Sequence, residues 1–348
     1  MSALTGNQWT SYQVGWPLSI NAGGTASTIG NKEQFQGEIT IIDPKDTPTF
    51  ALLAKEPWAA PYAEWPIDTL AATATSPSYE AWEFSATALT GRKRYSNVTQ
   101  AFHRGLLVSR RQQQMSQRGV TQGVPNEYRY QLGKKLLELN RDINARVVAN
   151  GTAVASASGT DDTASGSRMA SIRGFPILVT NVSGAWATAS YINLHRKMDE
   201  LGADPDTLLV SSGVKSDISQ TLMGLKNTAS DGTNFIRRIT QASTDKRWGA
   251  VVQILEDDFG DVMIVRDRWL PTQTAVLTGT ATGLTGDAAA YFLFDKTMMK
   301  IGVFQQPEHK PLPPNGDYER GFVVAEVGFK ILHPSAVAAG LNVTQTAI

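Results

Sequence analysis

Arg320-Gly-Phe-Val-Val-Ala-Glu326-Val-Gly-Phe-Lys-Ile-Leu332 forms a long apolar strand pattern near the C-terminus of the chain. One carboxylate, Glu326, lies inside this pattern, and a Pro334-Ser-Ala turn follows it. A second distinctive stretch, Ile41-Ile-Asp-Pro44-Lys-Asp-Thr47-Pro48-Thr-Phe50, lies near the N-terminus. Neither stretch carries the residues of a catalytic centre.

The composition suits a subunit that is surrounded by copies of itself. Lysine and arginine total 32 and aspartate and glutamate total 32, so the formal net charge is zero, and only 18% of the residues are charged. A soluble monomer usually carries more net charge, and a nucleic-acid-binding protein usually carries a basic excess. The 348 residues, of which 41% are hydrophobic, allow one large domain or two ordinary ones.

Membrane proteins and disulfide-bonded proteins are excluded on simpler grounds. No stretch approaches about 18 consecutive apolar residues, so neither a transmembrane helix nor a membrane partner is predicted. The N-terminus lacks the basic region and the apolar run of a signal peptide. The chain contains no cysteine, which excludes disulfides, thiolate chemistry and cysteine-bound metals.

Residues 1–38 are rich in glycine, serine, threonine and asparagine. They hold too few apolar residues to fold alone, so the pattern predicts either an extended arm or a disordered tail. In an arm, the aromatic side chains of Trp9 and Trp16 would be free to dock on another surface. Both are therefore candidates for contacts between subunits.

Residues 61–109 are predicted to form a long hairpin that has no core of its own. Both arms are rich in strand-forming residues, yet neither shows the apolar face of a half-buried strand. Such a hairpin must lie on another domain or on another chain. Burial of its aromatic side chains would supply the energy for that contact, and the candidates are Trp65, Trp82 and Phe102.

Arg92-Lys93-Arg94 is the one compact basic run of the sequence. It could contact DNA phosphates, because these carry the negative charge of nucleic acid. On a hairpin, a contact with acidic residues of a neighbouring subunit is the favoured interpretation. Arg92, Lys93 and Arg94 are therefore the polar candidates for an intersubunit contact.

Residues 126–150 give the clearest helix of the sequence. Apolar residues recur every three or four positions, and Asn150-Gly151 is a C-cap signal. At about 1.5 Å per residue this helix is roughly 37 Å long, which suits a structural spine. The apolar stripe consists of Tyr128, Leu132, Leu136, Leu139, Ile143 and Val147.

Residues 176–297 predict an α/β region that is inserted between parts of the first. Its elements are a helix near 190–202, a strand at 206–211, a helix near 213–223, a hairpin and a strand near 289–294. The hairpin turns on Asp257-Asp-Phe-Gly260, for which a tight turn is the favoured interpretation. The chain then returns to the first region in strands at 298–305 and 319–332.

Groups that could carry chemistry favour structural roles. Glu138 and Asp142 lie one helical turn apart and could mimic an acid/base pair, but Arg141 and Arg146 are spaced to form ion pairs with them. The acidic residues around the 257–260 turn lack the spacing of a calcium loop. The four histidines are scattered, and no nucleotide-binding or nucleophile motif occurs. No catalytic residue, cofactor site or metal site is predicted.

The order of these parts resembles the Hong Kong 97-type capsid fold of tailed-phage major capsid proteins, and the motifs resemble its SU-ten-like branch. The resemblance covers about residues 39–343. Its motifs are Pro44-Lys-Asp-Thr47-Pro48, Glu64-Trp65-Pro-Ile-Asp68, Asn97-Val-Thr99-Gln100, Gln131 to Asp142, Phe259-Gly260 leading to Arg268-Trp-Leu-Pro271, and Glu326 to Pro334.

The resemblance implies an α+β fold with four parts. These are an N-terminal arm (1–38), a peripheral domain (39–60, 110–175 and 298–348) with the spine helix, an extended hairpin loop (61–109), and an inserted axial α/β domain (176–297). The implied function is a structural one: self-assembly into the icosahedral head that encloses the double-stranded DNA of a tailed bacteriophage. Another phage structural protein, such as a tail tube, and a hydrolase are the alternatives.

The resemblance also implies partners and a location. The chain would bind copies of itself in hexamers and pentamers, a separate scaffolding protein and a portal protein, with a decoration or cement protein as a further candidate. Packaged double-stranded DNA would be contacted non-specifically. The expected location is the virion capsid, assembled in the cytoplasm of the host bacterium.

Overall fold

The computed structural model describes residues 12–13, 19–20, 43–70, 80, 83, 91–114, 127–149, 168–184, 186–222, 252–270, 289–313 and 316–343. Its helices are α1 (Pro48–Leu52), α2 (Arg110–Gln114), α3 (Glu127–Val148), α4 (Thr188–Glu200) and α5 (Ser212–Leu222). Its strands are β1 (Tyr12–Gln13), β2 (Ser19–Ile20), β3 (Ala54–Pro57), β4 (Tyr62–Ile67), β5 (Lys93–Val98), β6 (Gln100–Ser109), β7 (Leu178–Gly184), β8 (Thr207–Val210), β9 (Ile254–Asp257), β10 (Gly260–Arg266), β11 (Ala289–Phe294), β12 (Met299–Leu312), β13 (Tyr318–Ile331) and β14 (Val337–Val343). Within the described residues, no helix is long and apolar enough to span a membrane.

The apolar strand pattern that ends at Leu332 becomes β13, the second-last strand of the chain. It lies inside a four-stranded sheet of order β3-β12-β13-β6, antiparallel to both β12 and β6. Alternate residues of β13 from Val323 to Ile331 are buried in the main core, as the period of two along a strand requires. The predicted return of the chain in two long strands is confirmed by β12 and β13.

The predicted spine helix is confirmed as α3, which packs across β6 and β13. Its apolar stripe faces the sheet, and the buried members are Tyr128, Leu139, Ile143 and Val147. Leu132 and Leu136 are only partly buried at the margin of the core. The stripe therefore packs against the returning strands. Most of its buried residues lie in the C-terminal half of the helix, which the spacing of the apolar residues alone does not indicate.

A second sheet has six strands in the order β7-β14-β11-β8-β10-β9. The predicted hairpin is confirmed by β9 and β10, which pair antiparallel around the turn that ends at Gly260. Gly260 adopts a φ of 146°, a conformation that favours glycine. Helix α4 covers one face of this sheet by burying Tyr191, Leu194 and Met198 in a second apolar cluster.

Strand β14 connects the end of the chain to the six-stranded sheet. It lies between β7, with which it is parallel, and β11, with which it is antiparallel. Gly340 makes room for the ring of Tyr291, since a Cβ atom at this position would lie 2.0 Å from that ring. Strands β12 and β13 therefore lie in the four-stranded sheet, whereas β14 lies in the six-stranded sheet.

The long hairpin is described at its base, as the antiparallel ribbon β4–β5. Trp65, Ile67 and Val98 are buried there, and β5 contacts β13 of the same chain. Pro66 has no backbone N–H group to donate. The ribbon accommodates it because only two strands are present, so no third strand needs that N–H group as a hydrogen-bond donor. The base of the hairpin therefore lies on the chain's own sheet, while most of residues 71–90 lie outside the described residues.

Candidate intersubunit site

The basic run of the hairpin lies on an exposed surface of β5 and the residue before it. Arg92 Nε lies 3.3 Å from Asp68 Oδ2, and Arg94 Nη1 lies 3.1 Å from Glu64 Oε2. Exposed pairs of this kind contribute roughly 0–1 kcal/mol, so they orient the side chains without holding the fold together. Lys93 is exposed and forms no ion pair with any described residue. The run keeps its charge available at the surface.

The aromatic candidates divide into two groups. Trp65 and Phe102 are 5% and 8% exposed, and both belong to the main core of the subunit. Trp82, Trp9 and Trp16 lie outside the described residues. Other residues of the same chain therefore cover Trp65 and Phe102, whereas Arg92, Lys93 and Arg94 are exposed.

A group of side chains, here called the hairpin anchor, fixes the ribbon to β13: Trp65, Asn97, Thr99 and Glu326. Trp65 Nε1 donates to the carbonyl of Ile331 at 2.8 Å. Asn97 Nδ2 donates to the carbonyl of Phe329 at 2.6 Å, and Thr99 Oγ1 donates to the carboxylate of Glu326. The carboxylate inside the apolar strand pattern is thus explained by a hydrogen bond to the hairpin.

Sequence reasoning assigned Trp65 to a contact between subunits and gave Asn97, Thr99 and Glu326 no role in fixing the hairpin. The signal was present as two polar residues, Asn97 and Thr99, at the end of a strand-forming arm. Asn97 also accepts a hydrogen bond from the backbone N–H of Ala170 at 2.8 Å. Its side chain therefore joins β5, β13 and the loop before β7, because these three segments meet at one point.

A buried polar group, here called the three-element node, consists of Thr49, Asn144 and Asp267. Asp267 Oδ2 accepts from Thr49 Oγ1 at 2.6 Å and from Asn144 Nδ2 at 2.8 Å. All three side chains have 0% exposure, and the other oxygen of Asp267 accepts from the N–H of Trp269 at 2.8 Å. The node ties α1 and α3 to the segment after β10, so it links the elements of the two sheets.

The node joins three motifs that are far apart in the sequence. Asn144 Oδ1 accepts from the N–H of Phe50 at 2.8 Å, and Trp269 Nε1 donates to the carbonyl of Asp46 at 3.0 Å. The guanidinium of Arg141 stacks on the Trp269 ring at 4.7 Å. The proline-flanked N-terminal stretch, the spine helix and the stretch around Trp269 therefore form one contact region.

The expected ion pairs of Glu138 and Asp142 with Arg141 and Arg146 are wrong. Asp142 receives two hydrogen bonds of 2.6 Å from Arg104 on β6, because this strand lies directly beside α3. Glu138 pairs instead with Lys135 at 2.7 Å. The hydrogen bonds from Asp142 raise the pKa of the Arg104 guanidinium above its ordinary value. Asp142 therefore holds the helix to the sheet, whereas the Glu138–Lys135 pair lies within the helix.

Arg146 has a structural role of a different kind from the predicted ion pair. Its Nη2 atom donates to the carbonyl of Met169 at 2.6 Å, and its Nε atom donates to Gln100 Oε1 at 3.1 Å. Burial and the nearby charge of Arg168 lower the pKa of Arg146 from its ordinary value. Arg146 therefore joins the spine helix to the loop that contacts the hairpin anchor.

Asp257 holds the β9–β10 turn together. Its Oδ1 atom accepts from the N–H groups of Phe259 and Gly260 at 3.0 and 3.1 Å, while Oδ2 lies 2.7 Å from Nδ1 of the buried His195. Within the described residues, no group of three or more histidine or acidic residues could hold a metal ion. The turn is thus a structural connection between β9, β10 and α4.

A cavity of about 800 Å³ lies between α1, β3, α3 and β12. Its walls are mostly apolar and include Phe50, Trp58, Ile143 and Val303. The polar residues at the cavity are Lys55, Glu56, Asn140 and Gln306, which do not form an arrangement of nucleophile and base. The cavity therefore gives no support to the hydrolase alternative.

Comparison with solved structures identifies the fold. A capsid of a native GTA particle matches with a TM-score of 0.60 and 11% identity, covering 93% of this chain and 99% of that chain. Gordonia phage Cozz matches with a TM-score of 0.55 and 13% identity over 94% and 98% of the two chains. The capsid of cyanophage P-SCSP1u matches with a TM-score of 0.55 and 13% identity, covering 94% of this chain and 97% of that chain. The predicted Hong Kong 97-type α+β fold is confirmed.

Comparison of the sequence with curated proteins finds no match. The family model of the SU10 major capsid protein matches residues 21–344, which include the hairpin, the three-element node, both sheets and β14. This match confirms the predicted family. The chain belongs to the SU10 major capsid protein family and is a structural subunit of the capsid of a tailed-phage head.

Proposed function

We propose that this subunit associates into pentamers and hexamers that form an icosahedral head around double-stranded DNA. The family match over residues 21–344, in a chain that has the Hong Kong 97-type fold, carries the proposal. The subunit acts by binding its neighbours and not by catalysis. The anchor and node residues explain how one chain keeps its hairpin and its two sheets in a fixed relation during that binding.

The hairpin contributes to the contacts between subunits through its charge. Its base is held on the chain's own sheet by Trp65 and Asn97, whereas Arg92, Lys93 and Arg94 lie at the exposed end of the described ribbon. Charges at such a surface set the orientation of a partner more than the total affinity. The proposed partner of the basic run is an acidic surface of a neighbouring subunit.

Other partners complete the proposal. A separate scaffolding protein directs assembly, a portal protein occupies one vertex, and a decoration or cement protein is a further candidate. Packaged DNA contacts the inner surface without sequence preference, which is consistent with a formal net charge of zero. Assembly takes place in the cytoplasm of the host bacterium.

Expression of the chain with its scaffolding protein tests this proposal. Closed shells are expected in electron micrographs, and capsomer-sized particles are expected on size-exclusion chromatography before the shells close. A chain that stays monodisperse and monomeric at high concentration under every assembly condition would contradict the proposed self-association.

A further inference from the structure

The cavity between α1, β3, α3 and β12 has the size and the lining of a small-molecule site. Its volume is about 800 Å³. Pockets for small ligands measure roughly 300–1,000 Å³ and combine mostly apolar walls with a few polar groups. Among the lining residues, Ile143 and Val327 are buried, whereas Phe50, Val303 and Phe304 keep part of their side chains exposed. The cavity therefore offers apolar surface that a ligand could cover.

The cavity lies where the regular pairing of the four-stranded sheet ends. Strand β3 is paired with β12 only as far as Pro57 and Val303. The pairing of β12 with β13 then shifts register twice between Val303 and Glu308. Irregularities of this kind redirect side chains and are frequent next to functional sites. They leave Phe304 at the cavity with 40% of its surface exposed, a large aromatic side chain that lacks an apolar neighbour on that side.

The charge at the cavity is positive. Lys55 Nζ lies 4.2 Å from the centroid of the Phe50 ring, and Lys55 forms no ion pair with any described residue. Glu56 is the other charged residue of the lining. Its carboxylate lies 3.4 Å from Lys300 Nζ and 3.3 Å from Lys330 Nζ, so its charge is already balanced. The ammonium group of Lys55 therefore remains available to a ligand.

We propose that this cavity binds an amphipathic anion, that is, an apolar chain or ring that ends in one negatively charged group. The apolar part covers Phe50, Val303 and Phe304, and the anionic group contacts the ammonium of Lys55. Apolar burial supplies the affinity, while the single unpaired lysine selects the sign of the charge. The site lies within one subunit, so this inference goes beyond the proposed self-association and does not depend on it.

The position of the site gives its occupation a structural effect. Trp58 also lines the cavity, and it lies shortly before β4, the first strand of the long hairpin. A ligand that contacts α1 and β12 together stabilises the segment from which the hairpin extends. Because the ligand binds the folded chain only, it also raises the melting temperature as its concentration rises.

Titration of the unassembled full-length subunit with two matched probes tests the inference. Decanoate has an apolar chain and one carboxylate, whereas decanol has the same chain without the charge. Isothermal titration calorimetry should show one decanoate site per subunit and an affinity for decanol that is at least about fivefold weaker. Absence of decanoate binding, binding that does not saturate at one site, or equal affinities for the two probes would overturn the inference.

Two variants locate the binding site. Lys55→Met should weaken decanoate binding at least about fivefold and leave decanol binding unchanged, because only the charged contact is lost. Phe304→Ala should weaken the binding of both probes at least about threefold, because apolar contact area is lost. Lys197→Met is the matched control, since Lys197 is an exposed lysine on α4, away from the cavity, that forms no ion pair with any described residue.

Circular dichroism confirms that each variant is folded, which is expected because all three substituted side chains are exposed. Unchanged affinities in both cavity variants would place the bound probe elsewhere and overturn the inference. An equal loss in Lys55→Met and Lys197→Met would also overturn it, since the effect would then reflect the net charge of the chain. None of these outcomes bears on the proposed shell, because the titrations use the unassembled subunit.

Discussion

Gly302 and Gly328 are cross-strand partners on β12 and β13, and the ring of Trp58 packs directly against the backbone of both glycines. A Cβ atom on either glycine would lie 2.0 or 2.2 Å from atoms of that ring. The N–H of Trp58 donates to the carbonyl of Val303 at 3.0 Å, so the backbone is fixed as well. Trp58 lies just before β4. The two glycines therefore determine where the hairpin leaves the sheet.

The substitution Gly328→Ala is expected to destabilise the subunit by about 1–3 kcal/mol, because the added methyl group displaces the Trp58 ring from a packed position. Chemical denaturation of the soluble subunit measures this loss. Gly105→Ala is the control on a neighbouring strand, since a Cβ atom there meets nothing within 4 Å. If Trp58→Ala did not reduce the cost of Gly328→Ala in a double-mutant cycle, the ring would not be the cause.

Leu139→Ala in the spine helix is expected to cost about 2–5 kcal/mol, because Leu139 has 0% exposure and lies in the main core. Leu136→Ala should cost less, since Leu136 is only partly buried. Thermal unfolding followed by circular dichroism ranks the variants. Leu137→Ala, at a position 43% exposed, is the control and should change stability by less than about 0.5 kcal/mol. Equal losses at positions 136 and 139 would contradict the described orientation of α3.

Removal of the carboxylate in the three-element node by Asp267→Ala is expected to cost at least about 2 kcal/mol, because Thr49 Oγ1 and Asn144 Nδ2 lose their buried acceptor. Thr49→Val alone should cost less, since only one hydrogen bond is lost. The two effects should not be additive in denaturant titrations, because the residues share one network. Strict additivity would show that the node does not act as a unit.

The Asp206–Lys296 pair predicts a dependence of stability on pH. Burial alone would raise the pKa of Asp206, but hydrogen bonds from Lys296 and Thr207 outweigh it and lower the pKa below 3.8. A lowered pKa in the folded state contributes stability above the unfolded value, and this contribution is lost as the pH falls through the folded value. The difference in unfolding free energy between the wild type and Lys296→Met should therefore shrink between pH 5 and pH 2. A constant difference over that range would contradict the assignment.

Reversal of Arg92, Lys93 and Arg94 to Glu is expected to leave the subunit folded and to impair the shell. These side chains are exposed, so their ion pairs contribute little to the fold. Thermal melting reports the fold, and electron micrographs report assembly. Arg111→Glu on α2 is a control for a change of charge at another exposed position. Collapse of the fold in the triple variant would show that the basic run serves the subunit's own structure.

Local patterns in the sequence predict the elements whose partners are close along the chain. The spine helix follows from the spacing of Leu139, Ile143 and its other apolar residues, and the β9–β10 hairpin follows from the turn that ends at Gly260. In both cases the period or the turn chemistry is visible within a few residues. The order of these elements along the chain in turn carried the family resemblance.

Contacts between distant segments could not be predicted in the same way. Thr49 and Asp267 are 218 positions apart, and Arg104 reaches Asp142 only because β6 lies beside α3. No local sequence pattern indicates which carboxylate a given hydrogen-bond donor will contact in the folded chain. The sequence shows Glu326 as a carboxylate inside an apolar strand and Asn97 and Thr99 as parts of a motif. The bond from Thr99 to Glu326 and the bond from Asn97 to the carbonyl of Phe329 depend on the tertiary structure.

The place of β14 has a consequence for the synthesis of the chain. This strand separates β7 from β11, so β7 has no neighbour in the six-stranded sheet until residues 337–343 are available. Nascent domains fold as their residues emerge from the ribosome. Here the strand needed to join β7 to its sheet is the last described strand along the chain. During synthesis β7 must therefore wait, unpaired in this sheet, until every other described strand has been made.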